Sequence, residues 1–188
     1  MGLQVVTPGE TPVSLEEAKE HLRLDTGDED QLVMRLVRAA TERAESFTSR
    51  QFCTATLRLT LDAFPICNAI EIPAPPLQSI TSVQYYDAAG VLQTMPPSDY
   101  YVDETSSPGR LVLAGSQWPT TQARPAAVRI EYVAGYGEPE DVPAGIKSAI
   151  LLDVGDGFAF RETNVVGTVT AEMKRTIEDL LRPYKVYY

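Results

Sequence analysis

The stretch from Asp28 to Arg50, DEDQLVMRLVRAATERAESFTSR, constrains the fold of this chain more than any other segment. It contains no Gly or Pro, and its apolar residues recur at steps of three and four, which predicts one long amphipathic helix. Asp28 and Gln31 have the spacing of an N-terminal capping box. At about 1.5 Å per residue the helix would be roughly 33 Å long, so we expect it to be the spine of a domain. Its predicted buried stripe is Leu32, Leu36, Ala40, Ala44 and Phe47.

A shorter helix is predicted before this spine. Pro8 and Pro12 make the first thirteen residues extended rather than helical. Ser14 and Glu17 form a capping box that begins the helix, and Gly27 is expected to end it. The two helices therefore follow each other almost directly.

Two more helices are predicted near the C-terminus. Pro143 suits the first position of one of them, and Gly155 and Gly157 within it indicate either a kink or a very close neighbour. A loop is expected over Thr163–Val169, and Thr170 is expected to cap the last helix. Four amphipathic helices cannot bury their apolar stripes singly, so we expect them to pack together.

Between the second and third helices the apolar period changes from 3.6 to 2. The segment TLRLTL at residues 56–61 alternates leucine with polar residues, which is typical of a strand with one wet face. Six more short strands are predicted, with Pro-rich connections, and they indicate a small antiparallel sandwich or barrel. They are Ala69–Ile72, Ile80–Tyr86, Val91–Met95, Tyr100–Asp103, Arg110–Leu113 and Ala127–Ala134.

The predicted fold class is therefore α+β, a four-helix bundle-like domain with an inserted small antiparallel β domain that is sandwich- or barrel-like. Residues 1–52 would form the first part of the helical domain and residues 53–141 the inserted β domain. Residues 142–188 would complete the helical domain and end in an extended C-terminal tail.

Charge and hydropathy exclude several classes of function. The formal net charge is −10, and the excess of acid lies in residues 1–141, which argues against a protein that grips nucleic acid but not against a surface that DNA passes. No apolar run reaches the ~18 residues of a membrane helix. The N-terminus lacks a signal-peptide pattern. We expect a soluble protein that stays in the compartment where it is made.

The residues offer little support for catalysis. His21 is the only histidine, and Asp153 and Asp156 form the best carboxylate pair, so a small soluble hydrolase that uses these three residues is the enzyme alternative. Cys53 and Cys67 are expected to be free thiols rather than a disulfide. No metal site and no cofactor are predicted.

The C-terminal run from Arg182 to Tyr188 is rich in tyrosine and long enough, at about 20 Å when extended, to leave the body of the domain. An extended tail that docks on another protein is a known binding mode. The alternative is that the run folds back on the chain's own helices. Trp118 and the pairs Tyr85-Tyr86 and Tyr100-Tyr101 are either interface anchors or core residues.

Several motifs in order resemble the head–tail connector (adaptor) proteins of long-tailed phages and gene transfer agents. They are PVSLEEAKEHLR at residues 12–23, the D-x-x-x-D-x-x-L second helix ending in TSR, TLRLTLDAFP, IPAPPLQSITSVQYYD, VAGYG, and V-P-x-x-I-K-x-A-I-L-L. Each motif alone is weak, but together they cover nearly the whole chain. After I-L-L this chain has Asp153-Val154-Gly155-Asp156-Gly157, where relatives tend to carry bulky residues.

The resemblance implies a structural protein without catalytic activity, which forms a ring, commonly twelve-fold, beneath the portal of a DNA-filled head. The implied partners are the portal protein, a tail-side connector or stopper protein, and double-stranded DNA that passes without specific binding. The implied location is the neck of a virion or phage-like particle assembled in the host cytoplasm. The portal contact would fall on Arg182, Pro183, Tyr184, Lys185, Val186, Tyr187 and Tyr188.

A ring needs two different faces on each subunit. Three arginines on the spine helix, Arg35, Arg38 and Arg43, are candidates to meet Glu16, Glu20 or Glu29 of a neighbouring copy. A monomeric binding module is the remaining alternative, and it predicts no higher-order species at any concentration.

Overall fold

The computed structural model describes residues 2–159 and 169–187, which form four helices, eight strands and short connecting turns. The chain divides into two compact units. The β unit comprises Met1–Gly9 and Thr54–Tyr136, and the helical unit comprises Glu10–Cys53 and Gly137–Tyr188. The predicted α+β class is confirmed. Within the described ranges, every helix is too short or too polar to cross a membrane.

The helical unit contains α1 (Leu15–Leu22), α2 (Asp30–Thr48), α3 (Ala144–Ala159) and α4 (Val169–Leu181). Helix α3 contacts each of the other three, so the four helices share one packed assembly, as predicted. The buried apolar residues of this unit are Val13, Ala18, Val33, Val37, Ala40, Ala44, Phe52, Cys53, Val142, Ile146, Ala149, Ile150, Val154, Leu181 and Val186.

The predicted capping box at the start of α1 is present. The Ser14 side chain accepts a hydrogen bond from the Glu17 backbone N–H at 3.1 Å, and the Ser14 N–H donates to the Glu17 carboxylate at 2.8 Å. The helix ends at Arg23, in the left-handed conformation with φ 58°, rather than at Gly27. The N–H groups of Arg23 and Leu24 bond back to the Glu20 and Lys19 carbonyls, and this closes the helix early.

The capping box predicted at Asp28 and Gln31 is wrong. The Asp30 N–H bonds to the Gly27 carbonyl at 3.2 Å in a turn that precedes the helix, so α2 begins at Asp30. Its N-cap residue is Glu29, whose side chain makes no capping hydrogen bond.

The buried face of α2 is rotated relative to the predicted stripe. Ala40 and Ala44 are buried as expected, whereas Leu32, Leu36 and Phe47 are only partly buried. The centre of the buried face also includes two threonines, whose hydroxyls donate to backbone carbonyls one turn earlier at 2.8 Å. The buried residues are Val33, Val37, Ala40, Thr41, Ala44 and Thr48.

Helix α3 runs through both of its glycines, of which Gly157 marks close packing and Gly155 an ordinary contact. A Cβ on Gly157 would lie 3.0 Å from Leu36 Cδ2, and a Cβ on Gly155 would lie 3.5 Å from His21 Nε2. Of the loop predicted over Thr163–Val169, residues 163–168 lie outside the described residues. Helix α4 then begins at Val169, one residue before the predicted cap Thr170.

The β unit consists of two open antiparallel sheets, so the barrel alternative is wrong and the sandwich alternative describes it better. One sheet has the order β1-β2-β8-β4-β5 and the other the order β3-β7-β6. The strands are β1 (Gly2–Thr7), β2 (Ala55–Leu61), β3 (Ala69–Ile72), β4 (Leu77–Tyr86), β5 (Leu92–Thr94), β6 (Tyr100–Asp103), β7 (Gly109–Leu113) and β8 (Val128–Ala134).

The N-terminal segment belongs to the β unit and not, as predicted, to the helical one. Strand β1 pairs antiparallel with β2, with Leu3 opposite Leu59 and Val5 opposite Leu57. The unit boundaries therefore fall after Gly9 and Tyr136 rather than at the predicted positions.

One hydrophobic core joins the two sheets of the β unit. Its members come from alternate positions of the strands, as the period of two requires. They are Ala55, Leu57, Leu59, Ile70, Ile72, Leu77, Val83, Met95, Tyr100, Leu111, Val128, Ile130, Tyr132 and Ala134.

We expect Leu59→Ala to lower the free energy of unfolding of the β unit by about 2–5 kcal/mol, because Leu59 is fully buried and its truncation leaves a cavity. Leu92→Ala is the matched control, since Leu92 is 43% exposed and should change stability by less than about 1 kcal/mol. Urea denaturation of both variants checks this. Equal effects of the two substitutions would contradict the placement of the core.

Candidate interaction surfaces

Helix α2 presents two exposed arginines with no salt-bridge partner among the described residues, Arg35 and Arg38. The third arginine predicted at a subunit interface differs from them. Arg43 binds Asp153 of α3 through Nε at 2.8 Å and through a terminal nitrogen at 2.7 Å. Arg35 and Arg38 therefore remain available to another molecule, whereas Arg43 has an internal role.

Glu16 and Glu20, the predicted acidic partners, are exposed on α1. Neighbouring charges of the same helix are paired within the unit. Lys19 binds Asp30 at 2.8 Å, and this contact together with the nearby Glu16 raises the pKa of Lys19. This pair links α1 to α2, and the two glutamates face solvent.

The C-terminal run is folded against the helical unit in this structure. Its first part, Arg182–Tyr184, is a 3-10 turn rather than an extended segment. The Val186 N–H donates to the Thr48 carbonyl at 2.9 Å, and the Lys185 ammonium lies 4.6 Å from the centre of the Phe47 ring. Val186 is buried, whereas Tyr187 is 75% exposed. Tyr188 lies outside the described residues.

The turn after α2 supports this docked run. Arg50 Nε donates to the Tyr184 carbonyl, and the Arg50 N–H bonds to the Glu45 carbonyl at 3.2 Å. The Glu45 carboxylate in turn accepts from the Phe52 N–H at 2.9 Å and from Gln51 Nε2 at 2.7 Å. Burial raises the pKa of Glu45, and the hydrogen bond from Phe52 offsets part of that increase.

A groove of about 900 Å³ lies between α2, α3 and α4. We call it the α2–α4 groove. Its floor is made of small and apolar residues, and its charged lining carries four carboxylates and one guanidinium. The lining residues are Ala39, Ala40, Glu42, Arg43, Ala44, Ser46, Phe47, Ala149, Asp153, Asp156, Gly157, Ile177, Glu178 and Leu181. No single motif in the sequence predicts this groove, although the alanines of α2 and Gly157 of α3 are the signal of a close approach between the two helices.

The three residues of the enzyme alternative do not form a catalytic constellation. Asp153 is neutralised by Arg43, and Asp156 lines the α2–α4 groove. His21 lies on α1 beside Gly155. In the ranges that the structure describes, no group of three acidic, histidine or cysteine residues is placed to hold a metal ion.

Some of the aromatic residues considered as anchors pack within the β unit. Trp118 stacks on Phe64 with ring centres 4.8 Å apart, and its Nε1–H donates to the Cys67 carbonyl at 2.8 Å. Tyr85 meets Phe64 edge to face at 5.7 Å. Tyr101, by contrast, is 67% exposed on β6.

The two cysteines are free thiols. Cys67 is exposed, whereas Cys53 is buried, and this burial raises its pKa to about 12.

Comparison with known proteins agrees with the sequence-based resemblance. The model of the phage gp6-like head-tail connector protein family matches residues 12–90. No curated protein matches the chain in sequence. A structure described as the virion of a native gene transfer agent (GTA) particle matches with a TM-score of 0.83 and 22% identity, over 100% of this chain and 97% of that chain.

Two further similar structures are described as necks of GTA particles. The neck of an empty particle, computed with C6 symmetry, matches with a TM-score of 0.82 and 24% identity. The neck of a native particle, computed with C12 symmetry, matches with a TM-score of 0.82 and 20% identity. Each match covers 100% of this chain and 97% of the other.

The matches themselves define one class, since the family model describes a phage head-tail connector protein and the similar structures are of a gene transfer agent virion and its necks. More particularly, the resemblance to head–tail connector proteins is confirmed. The hydrolase alternative receives no support from the matches.

We expect Glu45→Gln to raise the free energy of unfolding relative to that of the native chain, and to raise it more at neutral pH than at acidic pH. The pKa of Glu45 is raised in the folded state, so its contribution to stability falls as pH rises above the ordinary value of 4.5. Gln keeps an acceptor for the Phe52 N–H but has no charge to bury. The measurement is denaturant unfolding of both chains across this pH range.

Glu20→Gln is the control, because Glu20 is exposed on α1 and loses the same charge without relieving burial. A stability difference between Glu45→Gln and the native chain that does not vary with pH would refute the account.

Proposed function

We propose that this protein is a head–tail connector subunit that forms a ring beneath the portal, joins a DNA-filled head to a tail, and continues the DNA channel. The observation that carries the proposal is the match of the whole chain to structures of GTA necks, together with the connector family match at residues 12–90. The C6 and C12 symmetry used for those necks supports a ring, with twelve copies as the proposed number.

Subunit contacts in such a ring are heterologous, so each copy must present two different complementary faces. Arg35 and Arg38 supply a cationic face that has no salt-bridge partner among the described residues of the chain. Glu16 and Glu20 are the acidic partners that the sequence predicts on the next copy. Arg43 is a weaker candidate for this role because Asp153 already binds it.

The portal contact is proposed to lie on the run from Arg182 to Tyr188. Its exposed members Arg182, Pro183 and Tyr187 are accessible while the rest of the run is docked on α2. Tyr187 is an aromatic anchor of the kind that dominates interfaces. Tyr184, Lys185 and Val186 contact Arg50, Phe47 and Thr48, so portal binding through the whole run would exchange these contacts for contacts on the portal surface.

The excess of acidic over basic residues in the chain supports passage of DNA without specific binding. With a net charge of −10, the subunit repels phosphate on average and does not hold a passing duplex. The β unit is proposed to face the tail-side connector or stopper protein. The protein would then reside in the neck of a virion or phage-like particle, after assembly in the host cytoplasm.

The test of the ring is mass photometry of the native chain with the portal protein of the same particle. We expect species of ring size on the portal, and cryo-EM of that complex should place the helical unit around the channel. If only single subunits are seen at every concentration, on the portal and off it, the chain is a monomeric module and the proposal fails.

We expect Tyr187→Ala to weaken portal binding by roughly tenfold or more, since truncation of an aromatic anchor commonly costs ~2 kcal/mol. The chain should remain folded, because Tyr187 is largely exposed. Surface plasmon resonance on immobilised portal measures the dissociation constant.

Tyr101→Ala is the matched control, because Tyr101 is a similarly exposed tyrosine on the β unit. A chain that ends at Tyr184 should lose more affinity than Tyr187→Ala. Unchanged affinity of both tail variants would exclude the C-terminal run as the portal contact.

A further inference from the structure

Strand β1 is attached to the β unit mainly through its backbone. Every residue of Gly2–Thr7 is exposed, and the apolar side chains of Leu3, Val5 and Val6 are 49%, 52% and 40% exposed. The strand lies at the edge of its sheet, and among the described strands its only neighbour is β2. What holds β1 in place is therefore chiefly the ladder of main-chain hydrogen bonds to β2.

The edge that β1 forms lacks the usual protection against other strands. Edge strands commonly carry charged residues or proline, because an open edge pairs readily with a strand of another molecule. The sequence of β1, GLQVVT, contains no charged residue and no proline. By contrast, the outer strands of the smaller sheet, β3 and β6, carry Glu71 and Asp103.

The pairing of β1 with β2 also brings no like charges together. The only charged residue of β2 is Arg58, so neither strand carries an acid. Two copies of a chain with a net charge of −10 repel each other on average. A contact between β1 of one copy and β2 of another would add no acidic side chains of these strands to that repulsion.

A short connection joins β1 to the helical unit. The boundary between the units falls after Gly9, and the chain is next buried at Pro12 and Val13. The five residues 8–12 begin and end with proline, which restricts the backbone, and they span at most about 18 Å. Short connections favour the exchange of the element that they carry between copies of a chain.

Exchange of β1 would replace each contact by an identical one. Within one copy, Leu3 lies opposite Leu59 and Val5 opposite Leu57. The same positions are present on every copy, so the hydrogen bonds and side-chain pairs that are broken form again on the neighbour. The exchange is also directional, because one copy donates a strand and the next accepts it. A closed ring requires this pairing of two different surfaces.

We propose that β1 of one subunit leaves its own β2 and pairs with β2 of the next subunit, so that exchanged strands link the ring. This inference rests on the proposed ring and names one of its contacts. Every subunit of a closed ring donates one strand and accepts one, so each ladder is complete. The apolar side chains of β1 then hold neighbouring copies together.

A disulfide that fixes β1 to its own β2 tests the exchange. Gln4 and Arg58 lie directly opposite each other, and neither is buried. The chain with Gln4→Cys and Arg58→Cys is oxidised as a dilute monomer in a Cys67→Ser background, since Cys67 is exposed and Cys53 is buried. The oxidised chain should form no rings on the portal, and reduction with dithiothreitol should restore them.

The matched control is a disulfide of the same kind that leaves β1 free. Gln84 of β4 and Arg129 of β8 also lie directly opposite each other, and neither is buried. With Gln84→Cys and Arg129→Cys in the same background, the oxidised chain should assemble as the native chain does. Circular dichroism melting shows that each variant is folded before assembly is scored.

A mixing experiment identifies the partner of β1 directly. The single variants Gln4→Cys and Arg58→Cys, both with Cys67→Ser, are combined, assembled on the portal and oxidised. Exchange predicts covalent dimers that contain one chain of each variant, whereas either variant alone should give none.

Two results would overturn the exchange. One is that the oxidised Gln4→Cys, Arg58→Cys chain forms rings as well as the control, and the other is that no mixed dimers form within assembled rings. If the native chain itself forms no ring, the proposed function has failed. If the native ring forms and either of these two results is obtained, only the strand exchange has failed.

Discussion

The rotation of α2 about its own axis decides which of its side chains face the core, the α2–α4 groove and solvent. Thr41 and Thr48 can be buried because their hydroxyls donate to the carbonyls of Val37 and Ala44. Their burial places the line of valines and small residues against the core. Leu36 is thereby turned toward Gly157 of α3, and Arg35 and Arg38 are turned to solvent. The hydrogen bonds of two threonine hydroxyls thus decide which side of α2 faces the core.

Local signals in the sequence were sufficient for part of this fold. The Ser14–Glu17 capping box and the alternation of leucines in β2 depend only on neighbouring residues, and both predictions were correct. The predicted buried stripe of α2 was wrong at Leu32, Leu36 and Phe47, which are only partly buried. Hydropathy ranks leucine above threonine, and it takes no account of a threonine hydroxyl that forms a hydrogen bond within the helix. The cap at Asp28 failed for a related reason, since a turn to Gly27 competed for the start of the helix.

Long-range pairing accounts for what the sequence did not show. Strand β1 has no partner nearby in the chain, and its pairing with β2 across some fifty residues decides that the N-terminus belongs to the β unit. The groove is likewise a product of three helices from distant segments. Its lining residues are unremarkable singly, because alanines, glycines and acids of a helix are ordinary solvent-facing residues until another helix encloses them. The folded position of the C-terminal run depends on Thr48 and Phe47 in the same way.

In the proposed ring, closure between strongly acidic subunits would depend on few cations. Each copy carries a net charge of −10, so bringing copies together raises their mutual repulsion, which salt screens only beyond about 10 Å. In the proposed connector, the same excess of acidic residues would keep a passing duplex from binding. Close contacts between opposite charges must then direct the orientation of neighbours. Of the exposed cations on α2, Arg35 and Arg38 are not used internally for salt bridges among the described residues, whereas Arg43 is. In the proposed ring, repulsion from DNA would come from the net acidic charge of the chain, and attraction between subunits would come from these few exposed cations.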